Sequence, residues 1–283
     1  MVVGWEWDDT LFAGAAPYYT RGRLPYAPGL AETLAGVLAP DGRGRLLDVG
    51  CGPGTLTLLL APFFGEVVGV DPDREMIAEA GRQASRRGVA HKARWVRARA
   101  EELAPDLGQF TAAVFGQSFH WMDRERVAAT IRDLLGPGGA LVHVCDLKTE
   151  SRGVDGLPHP AVPYEAIAEL VRHYLGPVRR AGQGVLTQGT PGGEREILTR
   201  AGFSGPRRHV VPGGQALERT QDDVVAWVFS MSFSAPHLFG PHRDAFEAAL
   251  RELLRQASPR GRFSERGPST EVSVWRTAPA SPP

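Results

Sequence analysis

The stretch LLDVGCGPG, residues 46–54, decides how this chain folds. Its first half is short and apolar, which predicts a buried strand, and its second half places Gly50, Gly52 and Gly54 at alternate positions. Glycine has no Cβ and reaches positive φ, so such a loop lets a nucleotide-like ligand touch bare backbone. We therefore expect a strand, a glycine loop and a helix that begins near Thr55.

A second apolar run, residues 67–70, follows and ends in Asp71. An acid at the end of the second strand is placed to accept hydrogen bonds from ribose hydroxyls, as in dinucleotide-binding folds. The pyrophosphate fingerprint G-x-G-x-x-G would need Gly or Ala at the position of Thr55. The pattern is therefore G-x-G-x-G and disfavours an NAD site. A structural turn without a ligand is the other alternative.

The whole arrangement resembles the class I methyltransferases that depend on S-adenosylmethionine (SAM). In that family the motif E/D-x-G-x-G-x-G lies against the methionine part of SAM, and the acid after the second strand holds the ribose. The resemblance implies SAM as the cofactor and S-adenosylhomocysteine (SAH) as its product. The cofactor-binding residues that it implies around these two strand ends are Asp48, Gly50, Cys51, Gly52, Gly54, Asp71 and Pro72.

The composition narrows the class of protein. The chain has 283 residues, with 32 basic and 32 acidic side chains, so it has no general field for nucleic acid or anionic membranes. Its two cysteines, Cys51 and Cys145, argue against a disulfide scaffold and are read as free thiols. The first residues lack a basic, apolar leader, and no run approaches 18 apolar residues. We expect a cytoplasmic monomer or homodimer without nucleic-acid, membrane or metal partners.

Residues 1–29 are expected to form an N-terminal lid segment rich in aromatic side chains, and the first predicted helix spans 28–39. The segment YTRGRLPY, residues 19–26, resembles a Y-x-x-x-R-P-x-Y stretch that folds over the SAM site in small-molecule methyltransferases, although Leu24 replaces its proline. Arg23 is the candidate for the SAM carboxylate, because a guanidinium pairs with a carboxylate bidentately. A surface arginine is the alternative. The aromatic candidates for substrate contact are Tyr18, Tyr19 and Tyr26.

The remaining core alternates strands and helices. We predict strands at 45–50, 66–70, 94–97, 110–115 and 140–146, and helices at 55–64, 73–87 and 127–135. Met76, on a first helical turn, packs either on the adenine or in the core. The family often carries Asp-Ala-Glu after the third strand; Arg99 replaces the Asp here, and Ala100 and Glu101 remain candidates for the adenine.

The segment GQSFHWMD, residues 116–123, follows the fourth predicted strand. It resembles the Q-x-x-H-W segment of trans-aconitate methyltransferase relatives, which implies that Gln117 and Ser118 border the methionine part of SAM. His120 is a candidate general base, because imidazole titrates near neutral pH; a packed or cofactor-contacting histidine is the alternative. Trp121 could face the sulfonium or the substrate, or pack internally.

Residues 147–277 are expected to complete the sheet and to add a helical cap over the substrate. A sixth strand is predicted at 203–211 and an antiparallel last strand at 270–277. The predicted helices lie at 164–175, 194–201, 221–232 and 241–257, and the predicted irregular segments at 147–160, 176–193 and, as a disordered tail, 278–283. Ser232, Phe233 and His237 are candidate substrate contacts; packing between helices is the alternative.

The predicted fold is α/β, a doubly wound, Rossmann-like sheet of seven mostly parallel strands whose last strand is antiparallel, with residues 30–146 as the SAM-binding core and a helical cap. The resemblance implies an enzyme that moves the SAM methyl to an oxygen or nitrogen of a small molecule, such as a natural-product intermediate. The alternatives are a carboxyl O-methyltransferase of a small organic acid and a SAM-binding protein that transfers no methyl. An RNA methyltransferase is disfavoured, because residues 116–119 replace the N/D-P-P-Y/F motif.

Overall fold

The computed structural model describes residue 8 and residues 10–147, 154–177 and 193–279. The strands in these ranges are β1 (Arg45–Val49), β2 (Glu66–Asp71), β3 (Ala93–Arg97), β4 (Phe110–Gly116), β5 (Leu135–Asp146), β6 (Ser204–Val211), β7 (Ala216–Thr220), β8 (Arg262–Arg266) and β9 (Thr270–Arg276). The helices are α1 (Ala16–Gly22), α2 (Leu30–Leu38), α3 (Thr55–Leu60), α4 (Arg74–Arg86), α5 (Arg124–Leu134), α6 (Tyr164–Leu175), α7 (Glu194–Arg200), α8 (Gln221–Phe229) and α9 (Arg243–Ala257).

Seven strands form one sheet in the order β3-β2-β1-β4-β5-β9-β6. Only β9 is antiparallel to its neighbours, β5 and β6, whereas the other pairs are parallel. This confirms the predicted Rossmann-like sheet with an antiparallel last strand. The strand order reverses between β1 and β4, so the crevice in which such sheets bind ligands lies at the carboxyl ends of these two strands.

The central strands β1, β2 and β4 are buried on both faces, which explains why they read as apolar runs rather than alternating patterns. Leu47 and Val49 face a core layer that includes Ile131 of α5. Leu46, which precedes Leu47, faces the opposite layer with Leu34 of α2. The two layers fix the position of β1, and therefore of the glycine loop that follows it.

Local signals place the helix ends close to their predicted positions. Asp73 caps α4 by accepting hydrogen bonds from the backbone N–H groups of Glu75 and Met76. The helix predicted at 55–64 ends earlier as an α-helix, at Leu60, and continues as a 3₁₀ turn over Ala61–Phe63. Pro62 has no N–H for an α-helical bond, which explains the change.

The cap contains elements that the sequence did not predict. Helix α1 lies inside the segment expected to precede the first helix, and its Gly22 packs so closely on α8 that a Cβ there would lie 2.4 Å from the carbonyl of Ala226. A seven-residue helix has too few turns to show periodicity and depends on such tertiary contact. Strands β7 and β8 form a separate antiparallel pair, which joins segments far apart in sequence.

The cap has its own apolar cluster, to which α6, α8 and α9 contribute Ile167, Phe229 and Phe246. Most of the predicted loop at 176–193 lies outside the described residues. Residues 1–7 and 280–283, at the ends of the chain, also lie outside them. Within the part that is described, no helix is both long and apolar enough to cross a membrane.

Candidate functional site

A cavity of about 340 Å³ lies at the carboxyl ends of β1, β2, β3 and β4. Residues that the sequence singled out come from the segment after each of these strands and from α1. Those that line the cavity are Gly50, Gly52, Asp71, Pro72, Met76, Ala100, Glu101, Gln117, Ser118, Trp121 and Tyr19.

The glycine loop needs its glycines for two different physical reasons. Gly50, Gly52 and Gly54 all have positive φ, at 69°, 53° and 80°. A Cβ at position 54 would lie 2.6 Å from the Trp95 ring, and one at position 50 would lie 2.6 Å from the Cβ of Ser118. A Cβ at position 52 would meet nothing within 4 Å. Two glycines therefore allow close packing, while Gly52 borders open space in the cavity.

The N–H groups of this loop are already hydrogen-bonded within the protein, and Pro53 has none. Their acceptors are Val70 O for Gly50 and Cys51, Asp71 Oδ2 for Gly52, and Cys51 O for Gly54. A phosphate-binding loop works by offering free N–H groups to the anion. This loop has no such free N–H group, which disfavours a ligand held by its phosphates.

Asp71 ends β2 in the cavity wall. Its Oδ2 accepts from Gly52 N at 2.9 Å and its Oδ1 from Asp73 N at 2.9 Å, so the carboxylate is held in one orientation. Burial raises the pKa of Asp71 to about 6, although those two hydrogen bonds act to lower it. Each carboxylate oxygen has a second acceptor position, which a diol such as ribose can use.

Asp48 lies below the loop, fully buried. Thr57 Oγ1 donates to its Oδ2 at 2.6 Å, whereas its Oδ1 is buried without a partner. Burial raises the pKa of Asp48 to about 7. Asp48 is not among the residues that line the cavity, so its role as a cofactor-binding residue stays a prediction.

The opposite end of the cavity, after β3, is built from Ala100 and Glu101. Glu101 is buried and its Oε1 accepts from Asp123 N at 2.8 Å, which holds the start of α5; burial raises its pKa. Met76 is buried against Ala15 and Ala16 and also lines the cavity. Both predicted roles of Met76, core packing and ligand contact, are therefore compatible with its position.

The segment after β4 supplies the third side of the cavity. Ser118 Oγ donates to Val49 O at 2.5 Å and ties this segment to β1. Trp121 packs edge-to-face with Phe12 at 5.7 Å between ring centroids. His120 contacts Trp121 at 4.8 Å but is not among the residues that line the cavity. Its role as a base stays a prediction.

The N-terminal segment closes the cavity with residues that the sequence analysis missed, Leu11, Phe12, Ala13 and Gly14. The high aromatic content of this segment was the available signal. Arg23 does not line the cavity: its Nη2 donates to Ser230 O at 2.8 Å and its guanidinium lies 4.6 Å from the centre of the Tyr19 ring.

The other aromatic and cap candidates lie outside the cavity wall. Tyr18 accepts a hydrogen bond from Arg243 in the cap cluster, and Tyr26 lies with its hydroxyl against Gly116. Ser232 is buried and Phe233 packs on the cap cluster. His237 Nδ1 lies 3.0 Å from Ala13 O, so it connects the cap to the N-terminal residues 11–14 that close the cavity. Substrate contact by these residues stays a prediction.

Comparison with known proteins finds methyltransferases. Residues 46–139 match the family model of a methyltransferase domain. An uncharacterized methyltransferase of Mycobacterium tuberculosis is 34% identical over 142 residues, which cover 50% of this chain and 54% of the relative. The trans-aconitate 2-methyltransferase of Streptomyces avermitilis is 26% identical over 276 residues, 93% of this chain and 92% of the relative. The chain thus spans about half the length of the mycobacterial relative.

A solved structure shares the fold at low sequence identity. The YcgJ protein of Bacillus subtilis superposes with a TM-score of 0.51 at 17% identity, over 88% of this chain and 97% of that one.

Proposed function

We propose that this chain, which carries a methyltransferase domain of the class I SAM-dependent family, transfers the methyl group of SAM to an oxygen or nitrogen of a small molecule. The observation that carries the proposal is the loop at residues 50–54, whose N–H groups are all bonded within the protein while its open side borders the cavity. That loop offers no free N–H group to a pyrophosphate, which favours SAM over a dinucleotide.

The residues that line the cavity fit the adenosine part of SAM. Asp71 would accept from the ribose hydroxyls, and the segment at 100–101 would meet the adenine. The glycine loop and Ser118 would border the methionine part of SAM. When bound, SAM supplies a methyl group to the acceptor. The sulfur keeps the electron pair of the broken bond, so SAH remains, and a protonated acceptor must release its proton.

The protein's contribution to rate is alignment of the two reactants. The sulfonium methyl is already activated, so holding an acceptor in line with it can supply most of the acceleration. The proposal assigns no proton transfer to His120, because His120 does not line the cavity.

A small molecule is favoured as the acceptor for two reasons. The chain carries 32 basic and 32 acidic residues, so no net charge attracts a nucleic acid. The cavity is also partly covered by residues 11–14, which leaves little room for a polymer. The relative from Streptomyces avermitilis is named for a small organic acid. Methylation of a carboxyl group is therefore the alternative to methylation of a hydroxyl or an amine.

The test is mass spectrometry of the purified protein incubated with SAM and a mixed panel of hydroxyl, amine and carboxylate metabolites. We expect SAH together with a product that is heavier than its precursor by one methylene. SAM that binds and is never consumed would contradict methyl transfer and favour a SAM-binding protein without that activity.

A further inference from the structure

One segment of the cavity wall has little structure of its own to hold it in place. Residues 11–14 line the cavity, and the segment at 10–15 that carries them, here called the cover, lies outside any helix or strand. Its backbone hydrogen bonds, such as Ala13 N to Thr10 O at 3.1 Å, close within a few residues. Segments with few tertiary hydrogen bonds open at a low cost in free energy, so the position of the cover depends on its contacts with the rest of the fold.

Two apolar contacts place the cover beside the cavity. The buried Ala15 packs in a cluster with Met76 of α4, and Phe12 lies edge-to-face with Trp121 at 5.7 Å between ring centroids. Met76 and Trp121 also line the cavity. Apolar contacts are non-directional, so they keep the cover near these residues without fixing the orientation of its backbone.

The directional contact comes from the cap, through His237. Its Nδ1 lies 3.0 Å from Ala13 O, and because a carbonyl oxygen only accepts, Nδ1 carries a proton and donates the hydrogen bond. The preceding Pro236 lies against Gly14, where a Cβ would be 3.7 Å from the Cβ of Pro236. Ala13 and Gly14, two residues of the cavity wall, therefore lie against the cap.

The backbone that carries His237 is well fixed. Pro236 is buried at the start of a 3₁₀ segment, Pro236–His242. Within this segment Phe239 is 3% exposed and stacks on Phe246 of α9, with 3.9 Å between the ring centroids. The exposed imidazole of His237 thus projects from a segment that packs in the cap cluster. A donor on a fixed backbone can hold its acceptor in one place.

We propose that His237 is a positioning residue of the cofactor site, which holds the cover over the cavity through its hydrogen bond to Ala13 and so slows the release of SAM and SAH. The inference rests on the proposed SAM binding. His237 is not among the residues that line the cavity, so it acts through Ala13 and Gly14. A ligand that contacts a cover already held in place loses less free energy to ordering it. This role is distinct from the substrate contact that the sequence predicts.

Two variants of His237 separate its hydrogen bond from its bulk. His237→Leu keeps a branched side chain without a donor, whereas the amide nitrogen of His237→Asn takes the place of Nδ1 and can donate to Ala13 O. In His237→Leu, SAH should bind about three- to tenfold more weakly, which is the scale of one lost hydrogen bond. In His237→Asn the affinity should stay within about twofold of the wild type. Calorimetric titration of SAH measures both.

The weaker binding should arise from faster dissociation. Stopped-flow tryptophan fluorescence after rapid dilution of the SAH complex measures that rate, because Trp121 lines the cavity. The dissociation rate of His237→Leu should rise by about the same factor as its affinity falls, and the association rate should stay within about twofold of the wild type.

Hydrogen exchange followed by mass spectrometry tests the cover itself. Without SAH, the peptide that spans residues 8–16 should exchange faster in His237→Leu than in the wild type, and His237→Asn should match the wild type. The midpoint of urea unfolding should be the same in all three, because the cover opens without the core. His242→Leu, which changes another exposed histidine of the same 3₁₀ segment, is the matched control and should alter neither binding nor exchange.

The outcomes separate the positioning role from the proposed function. Unchanged SAH affinity in His237→Leu, an equal loss in His237→Leu and His237→Asn, or equal exchange of the cover in His237→Leu and the wild type would overturn the positioning role, and the SAM assignment would stand. A wild-type protein that binds no SAH would instead overturn the proposed function.

Discussion

Asp48 shows how burial changes the chemistry of a single side chain. It is 1% exposed, with Thr57 on one carboxylate oxygen and no partner on the other. Because burial raises its pKa to about 7, this carboxyl exchanges its proton near neutral pH. A cation bound next to the glycine loop would favour its ionised form.

Asp48→Asn should make stability less dependent on pH. The folded pKa is about 7 and the unfolded value is 3.8, so the folded state binds the extra proton between these values. Raising the pH from 5 to 8 therefore lowers the unfolding free energy of the wild type, through this group, by about 2 to 3 kcal/mol. Asparagine removes that contribution. Urea unfolding at both pH values measures it, and an equal change in the two proteins would show that Asp48 does not titrate in this range.

At the scale of elements, the loop at residues 50–54 and strand β3 depend on each other. The Trp95 ring of β3 occupies the space beside Gly54 and Gly69, so that a Cβ at either position would lie within 2.6 Å of the ring. One indole of β3 thus packs against both the glycine loop after β1 and strand β2. The open side of the loop, at Gly52, is left for the ligand.

Alanine substitutions at Gly54 and Gly52 should separate packing from binding. Gly54→Ala combines a φ of 80° with a clash against Trp95, and should cost about 2 to 4 kcal/mol of unfolding free energy. Gly52→Ala meets no neighbour, should cost about 1 to 2 kcal/mol, and should weaken SAH binding because its methyl enters the cavity. Urea unfolding and SAH titration measure the two effects. The reverse ranking of stabilities would contradict this division.

The elements predicted from sequence are those whose burial leaves a local pattern. β1, β2 and β4 are apolar runs, because both faces of the sheet are covered at these strands. Each run ends at, or is followed by, a glycine or an acid. Helix α1 and the β7–β8 pair left no such pattern. Strand β7 is largely exposed and joins a partner more than 40 residues away, as in Leu217 with Glu265. Their structure is set by tertiary contacts.

The residues of the candidate site also fall into two groups, those that the sequence predicts and those that it does not. Asp71 and the glycines follow from spacing, because each lies directly after a predictable strand. Phe12 enters the cavity wall by packing against Trp121, and Asp146 reaches Gln117 only because β4 and β5 are neighbours. Neither contact is encoded in a local motif, so sequence reasoning could not find it.

At the scale of the molecule, the cavity joins the sheet to the cap. The buried Arg219 of β7 pairs with Glu265 of β8 at 3.1 Å, and its Nη2 donates to Gly22 O at 2.7 Å at the end of α1. Tyr164 of α6 also donates to Glu265. This network fixes α1, which carries Tyr19 of the cavity wall, to the cap. Ligand binding is therefore expected to stabilise both parts together.

The central claim is that this cavity binds SAM through Asp71 and the glycine loop at residues 50–54, and calorimetric titration of SAH tests it most directly. We predict one SAH per wild-type chain, affinity at least tenfold weaker for Asp71→Ala, and no binding of NAD. Absence of SAH binding to the wild type, or unchanged affinity in Asp71→Ala, would contradict the account.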